Sequence, residues 1–386
     1  MHRGRFLLAC AVSAAVILSA PFMSQVRAQI RTTFPEQFVL VVGAAIGVLI
    51  GVPLIVALAR VRERRALRYG ALAAAVALGV IFSVLTRKGI PEVDVVERFH
   101  FVEFGIVTLL FYRAWRPLGD VSMFLLPVLA GLLVGTLEEW FQWFIPVRVG
   151  AMEDIFLNSA AIASGLLFSV AFDPPPPLAL SARPGSLRRI GVSASVVILL
   201  MAGFFYTVHL GHDIADPEIG RFRSRYTAEA LTRLSAARAI EWQAHPPPLH
   251  IPRLSREDQY MTEGVEHVRE RNLMWAAGRY AEAWLENRIL EKYYAPVIVT
   301  PSYHSKTGHR WPDDQRRQAQ EAVDALRAAS PHVAASYTSD SNPAPIYAWP
   351  KWVFWSASVL LAGVPLFALM RAERGARRTA SAPIAG

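Results

Sequence analysis

The sequence predicts an all-α integral membrane protein that crosses the bilayer about eight times and carries a mainly helical extracytoplasmic insertion before its last helix. Three observations predict it. Apolar residues come in runs of about 20, the length that spans a hydrocarbon core of roughly 30 Å. Only 18% of the residues are charged, whereas soluble domains carry roughly 25%. Lys and Arg collect in alternate loops, the pattern that retains loops on the cytoplasmic side. The mean hydropathy of +0.29 agrees.

The spans fall at about 6–23, 38–59, 69–86, 99–115, 121–145, 152–171, 190–209 and 351–370. The first lies in a segment, 1–37, that reads as an N-terminal transmembrane helix or signal anchor. Its basic start and the small residues around Val26-Arg27-Ala28 also fit a cleaved signal. A polytopic chain needs no cleaved signal, so a retained helix is preferred. Leu7-Leu8-Ala9-Cys10 has the letters of a lipobox, but the long apolar run follows the cysteine instead of preceding it, which excludes lipidation. Cys10 is the single cysteine, so an intramolecular disulfide and a multi-cysteine metal site are excluded.

Orientation follows from the loops. With the N-terminus inside, the inner connections hold Arg3 and Arg5, five arginines between Arg60 and Arg68, Arg113 and Arg116, three between Arg183 and Arg189, and four in the tail from Arg371 to Arg378. That makes sixteen, against six in the short outer connections: Arg27, Arg31, Arg87, Lys88, Arg98 and Arg148. Both termini are therefore expected in the cytoplasm of a bacterial inner membrane, with 210–349 outside. The net charge of +9 belongs to this bias, and nucleic acid is not an expected partner.

A membrane unit is expected over 38–172, a proline-rich cytoplasmic linker over 173–189, a span at 190–209, an extracytoplasmic helical domain at 210–349, and a last span with a basic tail at 350–386. Asp173 precedes four prolines, which cannot continue a helix and stiffen into an extended spacer. Within the outer segment, helices are predicted at 226–244, from about 255 to 294, and at 313–329. His209, His212 and Asp213, and the pair His304 and His309, lack a third ligand at helical spacing and are weak metal signals. No metal or cofactor is expected.

Ionisable residues at the ends of apolar helices are costly and ask for a reason. Three groups stand out. His100 and Glu103 share a face at the start of the fourth span. Glu138, Glu139 and Gln142 end the fifth. Glu153 and Asp154 open the sixth, with Asn158 one turn below Asp154, and Arg148 sits in the turn between. The loop count, which used none of these acidic or histidine residues, puts all three groups on the outer side. They are expected to converge in a pocket open to the outer surface. His100, Glu139 and Asp154 would do acid–base work, while Arg148, Gln142, Glu103 and Asn158 would hold the substrate. A second reading makes the cluster a hydrogen-bonded lock between helices.

These blocks resemble the VanZ-like family of membrane proteins, named for a teicoplanin-resistance factor. His100-Phe101-Val102-Glu103-Phe104 resembles the family's His-Phe-x-x-Tyr helix start, Glu138-Glu139-x-x-Gln142-x-x-x-Pro146-x-Arg148 its second block, and Asp154-x-x-x-Asn158 its third, closed by Gly165. The resemblance covers about 35–172. Val96-Glu97 stand where the family often has Asp-Lys, Phe104 replaces a tyrosine, and Ala161 a common glycine, so a relay through those hydroxyl or amino groups is not carried over. The resemblance implies a cell-envelope role and tolerance of glycopeptide antibiotics, with no defined reaction. The expected partners are membrane lipids, a lipid-linked envelope precursor, and a protein at the outer domain. A structural or assembly protein and a transporter stay open as alternatives. Against the transporter, no polar set stands at mid-membrane.

Overall fold

Residues 38–59 show why the solvent is lipid. This helix, α2 (Phe38–Ala59), is apolar on all sides, and only Phe38, Ile46 and Ala57 are buried. At 22 residues it is about 33 Å long. In water a helix hydrophobic all round would have to be covered; in a bilayer it need not be. The protein, described from a computed structural model, is seen at residues 3–145, 148, 150–177, 179, 183–250, 258–329 and 336–380, without the side chains of 184, 329 and 373–380. Pro146, Val147 and Val149 of the turn that holds Arg148, 178 and 180–182 of the linker, the expected helix start at 255–257, and the side chains of the tail arginines beyond residue 372 lie outside the described residues.

Among the described residues, seven helices are long and apolar enough to cross a membrane. They are α1 (Arg3–Thr33), α2, α3 (Arg65–Leu85), α6 (Ser122–Gln142), α7 (Met152–Phe172), α8 (Pro184–Val208) and α14 (Lys351–Ala380). α5 (Phe99–Trp115) has 17 residues, about 25 Å, and is shorter than the core it was expected to span. A short helix, α4 (Pro91–Glu97), opened by Pro91, leads into it. The chain is a multi-pass, all-α membrane protein.

Contacts divide the chain into two units. The first is 1–142, 150–204 and 355–386; the second is 143–149 and 205–354. In the C-terminal half of the chain the boundaries fall after Phe204 and Phe354. In the first unit α5 packs against α1, α6 and α7, and α3 against α7. Phe104, Val107, Ala161 and Ile162 make the centre, with Ala9 and Phe6 of α1 against Phe111. Small residues set the spacing. A Cβ on Gly165 would stand 2.8 Å from the Gly105 Cα, and one on Gly131 would stand 2.9 Å from Ile162. α8 and α14 join through Ser195 Oγ, which donates to the Ala362 carbonyl at 2.7 Å.

The arginine-rich connections meet at one edge of this unit. Arg68 Nε donates to the Ala171 carbonyl at 2.6 Å, Arg64 Nη1 to Pro175 at 2.6 Å, and Arg116 Nη2 to Pro174 at 2.7 Å. Prolines lack N–H groups but keep their carbonyls, which the guanidinia take. The proline run is thus fastened to the start of α3 and the end of α5.

The second unit is helical, with one addition the sequence did not predict. β1 (His212–Asp216) and β2 (Gly220–Ser224) form an antiparallel hairpin that pairs Ile214 with Phe222. Alternating burial on β2 places Phe222 inside, the period-two signal of a half-buried strand. α9 (Ala228–Ala244) is capped by Thr227. The helix expected over 255–294 is broken into α10 (Gln259–Ala276) and α11 (Tyr280–Tyr293). Gly278, at φ +75°, makes the break. After α12 (Ala295–Val299), α13 (Asp313–Ala329) matches the expected helix. Ile219, Phe222, Leu231, Tyr260, Leu285 and Tyr294 lie in one core.

Candidate functional site

Glu138 and Glu139 end α6, and both are buried, 6% and 0% exposed. Adjacent residues on a helix point about 100° apart, so one acceptor-rich patch needs a donor that reaches both. Gln142 is that donor, three and four positions on. Its Nε2 donates to Glu138 Oε1 at 2.6 Å and to Glu139 Oε1 at 3.1 Å. The three side chains therefore form one hydrogen-bonded set in the last turn of α6.

Asn158 of α7 lies beside this set and is 1% exposed. Gly135, one turn before Glu138 and Glu139, makes the room. A Cβ there would stand 3.3 Å from Asn158 Cβ and Nδ2 and 3.3 Å from Phe104 Cε1. Neither polar atom of the Asn158 amide has a hydrogen-bond partner among the described residues. Phe104 leads to the third group, since its ring stacks on His100 with centroids 6.2 Å apart. His100 Nδ1 in turn lies 3.8 Å from Glu103 Oε2, with both side chains less than one-fifth exposed. That separation is within ion-pair range but is too long for a hydrogen bond.

Asp154 and Glu153, in the first turn of α7, act electrostatically on Lys88 of the α3–α4 connection. Lys88 Nζ contacts Glu97 Oε1 at 2.6 Å. Partial burial lowers the pKa of Lys88, but the Glu97 hydrogen bond and the charges of Glu97, Asp154 and Glu153 outweigh it and leave the pKa raised. The ends of α3, α5 and α7 thus share one electrostatic environment. Arg148 is half-buried, and its N–H donates to the Ile145 carbonyl at 3.2 Å. It belongs to the second unit, whereas His100, Glu103, Glu139, Gln142, Asp154 and Asn158 belong to the first.

The site differs from the sequence reading in its exposure. The polar residues were expected in a pocket open to the surface; Glu138, Glu139, Gln142 and Asn158 are enclosed, whereas His100, Glu103 and Asp154 are half-buried and Glu153 is exposed. Glycines are the reason. Gly150, just before α7, lies so close to the Glu139 carbonyl that a Cβ would overlap it. The start of α7 therefore closes down on the end of α6. Gly135 and Lys88 had no assigned role from sequence. The Gly131-x-x-x-Gly135 spacing in an apolar helix was the available signal for close approach.

The histidines of the second unit are dispersed. His209 is 2% exposed, and its Nδ1 meets the Pro345 carbonyl at 2.8 Å. His212 lies on β1, and Asp213 pairs with Arg221. No group of three or more metal-ligating side chains occurs among the described residues.

Fold and composition define a multi-pass membrane protein with a buried carboxylate–amide cluster at the meeting point of three helices. No protein-family model, curated protein or solved structure matches the chain.

Proposed function

We propose that this chain is a VanZ-like cell-envelope protein of the bacterial cytoplasmic membrane that binds or modifies an anionic, lipid-linked substrate of the outer leaflet and contributes to glycopeptide tolerance. Both termini are cytoplasmic on this reading. His100, Glu139 and Asp154 handle protons, Arg148 grips the anion, and Gln142, Glu103 and Asn158 position it. One observation carries the proposal: Glu138, Glu139, Gln142 and Asn158 are all nearly inaccessible inside apolar helices. Buried ionisable groups in a membrane are costly and mark function by default. The unsatisfied Asn158 amide supports it further, since an apolar residue there would avoid the desolvation cost.

A second reading, a structural lock between α5, α6 and α7, is favoured by the same enclosure and by the Gln142 bonds to both carboxylates. Glu139→Gln and Arg148→Ala separate the two. On the proposed reading both variants lose labelled-lipid binding and glycopeptide tolerance while the melting temperature in nanodiscs stays unchanged. On the lock reading stability falls in step with the phenotype, by about 3–5 kcal/mol where a buried partner is left unpaired. A normal phenotype in both variants removes the cluster from consideration.

A further inference from the structure

The second unit holds a pocket that the membrane cluster does not use. Its volume is about 360 Å³, within the roughly 300–1,000 Å³ of small-molecule sites. α10 supplies Arg271, Asn272 and Trp275, the loop before α13 supplies His309, Arg310 and Trp311, and Gln315 of α13 adds to the wall.

Arg271 is 2% exposed. Its guanidinium donates to three neutral acceptors: Asn272 Oδ1 at 3.1 Å, Asn287 Oδ1 at 3.1 Å and the His309 carbonyl at 3.2 Å. It makes no ion pair among the described residues. The acid that acts on it electrostatically, Glu291, is already engaged by Arg288 at 2.6 Å and Arg316 at 2.7 Å. Burial pushes the Arg271 pKa down, partly opposed by Glu291, to about 10, so it stays charged near neutrality. A guanidinium has five N–H groups, so two remain. A buried cation without a direct anion is costly, and among the described residues no carboxylate lines the pocket.

Two further groups point to the same chemistry. His309 Nε2 is buried and has no hydrogen-bond partner among the described residues. Burial, His304 and the Arg271 charge hold the His309 pKa below its ordinary value, so the ring is neutral near pH 7. Arg310 is exposed and makes no ion pair among the described residues. The walls are aromatic. The Trp275 and Trp311 rings stand at 88° with centroids 5.6 Å apart, and the Arg271 guanidinium lies 5.3 Å from the Trp311 ring centre. The Asn272 amide N–H groups are not used by Arg271, and neither are those of Gln315 by Trp311, which donates to Gln315 Oε1 at 2.9 Å. They suit hydroxyl groups.

The loop is built into this shape. His309 N–H donates to the Ile298 carbonyl at 2.7 Å, and Ser305 Oγ to the Gly308 carbonyl at 2.6 Å. Gly308 has φ +78°, and a Cβ on it would stand 2.8 Å from the Ile298 oxygen. A preformed loop spares the ligand the cost of ordering it.

We propose that this pocket binds a small anionic sugar, a sugar phosphate or a sugar acid. Arg271, Arg310 and His309 Nε2 hold the anion, and the C–H face of the ring lies against Trp275. The proposal is independent of the membrane cluster and gives the extramembrane unit a ligand of its own. The test is calorimetric titration of the full chain in phosphatidylcholine nanodiscs with glucose 6-phosphate, glucuronic acid, glucose and inorganic phosphate. Saturable binding of either anionic sugar is expected, and the two arms tell phosphate from carboxylate. Glucose and inorganic phosphate each bind at least about tenfold more weakly, because each lacks one half of the recognition. Arg310→Gln, an exposed change, weakens the anionic sugar by about tenfold, the worth of one charge-assisted hydrogen bond, without moving the melting temperature. Absence of saturable binding to the folded protein overturns the proposal. So does glucose or inorganic phosphate binding as tightly as the anionic sugars, or an unchanged affinity in Arg310→Gln.

Discussion

Gly165 has no side chain because Gly105 leaves no room for one. A Cβ would stand 2.8 Å from backbone, which cannot swing aside as a side chain can. Gly165→Ala is expected to lower stability by about 1–3 kcal/mol, the usual cost of overpacking. Gly47→Ala on α2, where a Cβ meets nothing within 4 Å, serves as the control and should change little; thermal melts of both variants in nanodiscs make the comparison. Asp216 offers a pH test in the second unit. Burial raises its pKa, but Lys292 Nζ at 2.7 Å, the Tyr293 hydroxyl at 2.8 Å and the Glu218 N–H outweigh it, and the folded value lies below the ordinary one. A depressed carboxylate stabilises above its unfolded pKa, about 3.9, and that contribution is lost as pH falls through the folded value. Asp216→Asn should therefore lower stability at neutral pH and flatten the fall in stability below about pH 4. An acid-unfolding curve identical to that of the parent protein would show that Asp216 contributes nothing.

At the level of elements, hydrophobic runs announced the membrane helices because a bilayer selects for length and apolarity, both local properties. α5 was visible in the same way, although at 17 residues it falls short of a full span. What the runs could not show was where amphipathic helices of the second unit break. The stretch from Gln259 to Tyr293 keeps helical spacing on both sides of Ala277-Gly278-Arg279, yet the chain turns there. Gly278 takes φ +75°, a region that costs an L-residue about 1–2 kcal/mol. Nothing lies within 4 Å of its added Cβ, so Gly278→Ala reports the backbone cost alone. Destabilisation of the second unit by about that amount is expected. A gain in stability would mean that α10 and α11 prefer to continue as one helix. The β1–β2 hairpin was hidden for a related reason. Its strands have five residues each, and Asp213, Arg221 and Arg223 carry the charge on the exposed face, so the alternation is too short to read.

For the whole molecule, the arginine bias predicts a topology with both termini in the cytoplasm. Reporter fusions at Arg183 and Pro246 should report cytoplasmic and extracytoplasmic positions respectively; the reverse result would overturn the orientation and, with it, the outer-leaflet assignment of the carboxylate cluster. The sequence by itself determined that this is a multi-pass helical membrane protein, and it marked His100, Glu139, Gln142, Asp154 and Asn158 as residues that apolar helices would not carry without cause. Only the tertiary structure decided that the cluster is enclosed, that Arg64 reaches Pro175 across 111 positions of chain, and that Arg271, Trp275 and His309 line one pocket. The physical reason is range. Hydropathy and helix spacing are written in neighbouring residues, where solvent acts on each segment in turn. Close approach at glycines and the burial of a charge depend on segments distant in the chain, and one sequence carries no record of which of them will meet.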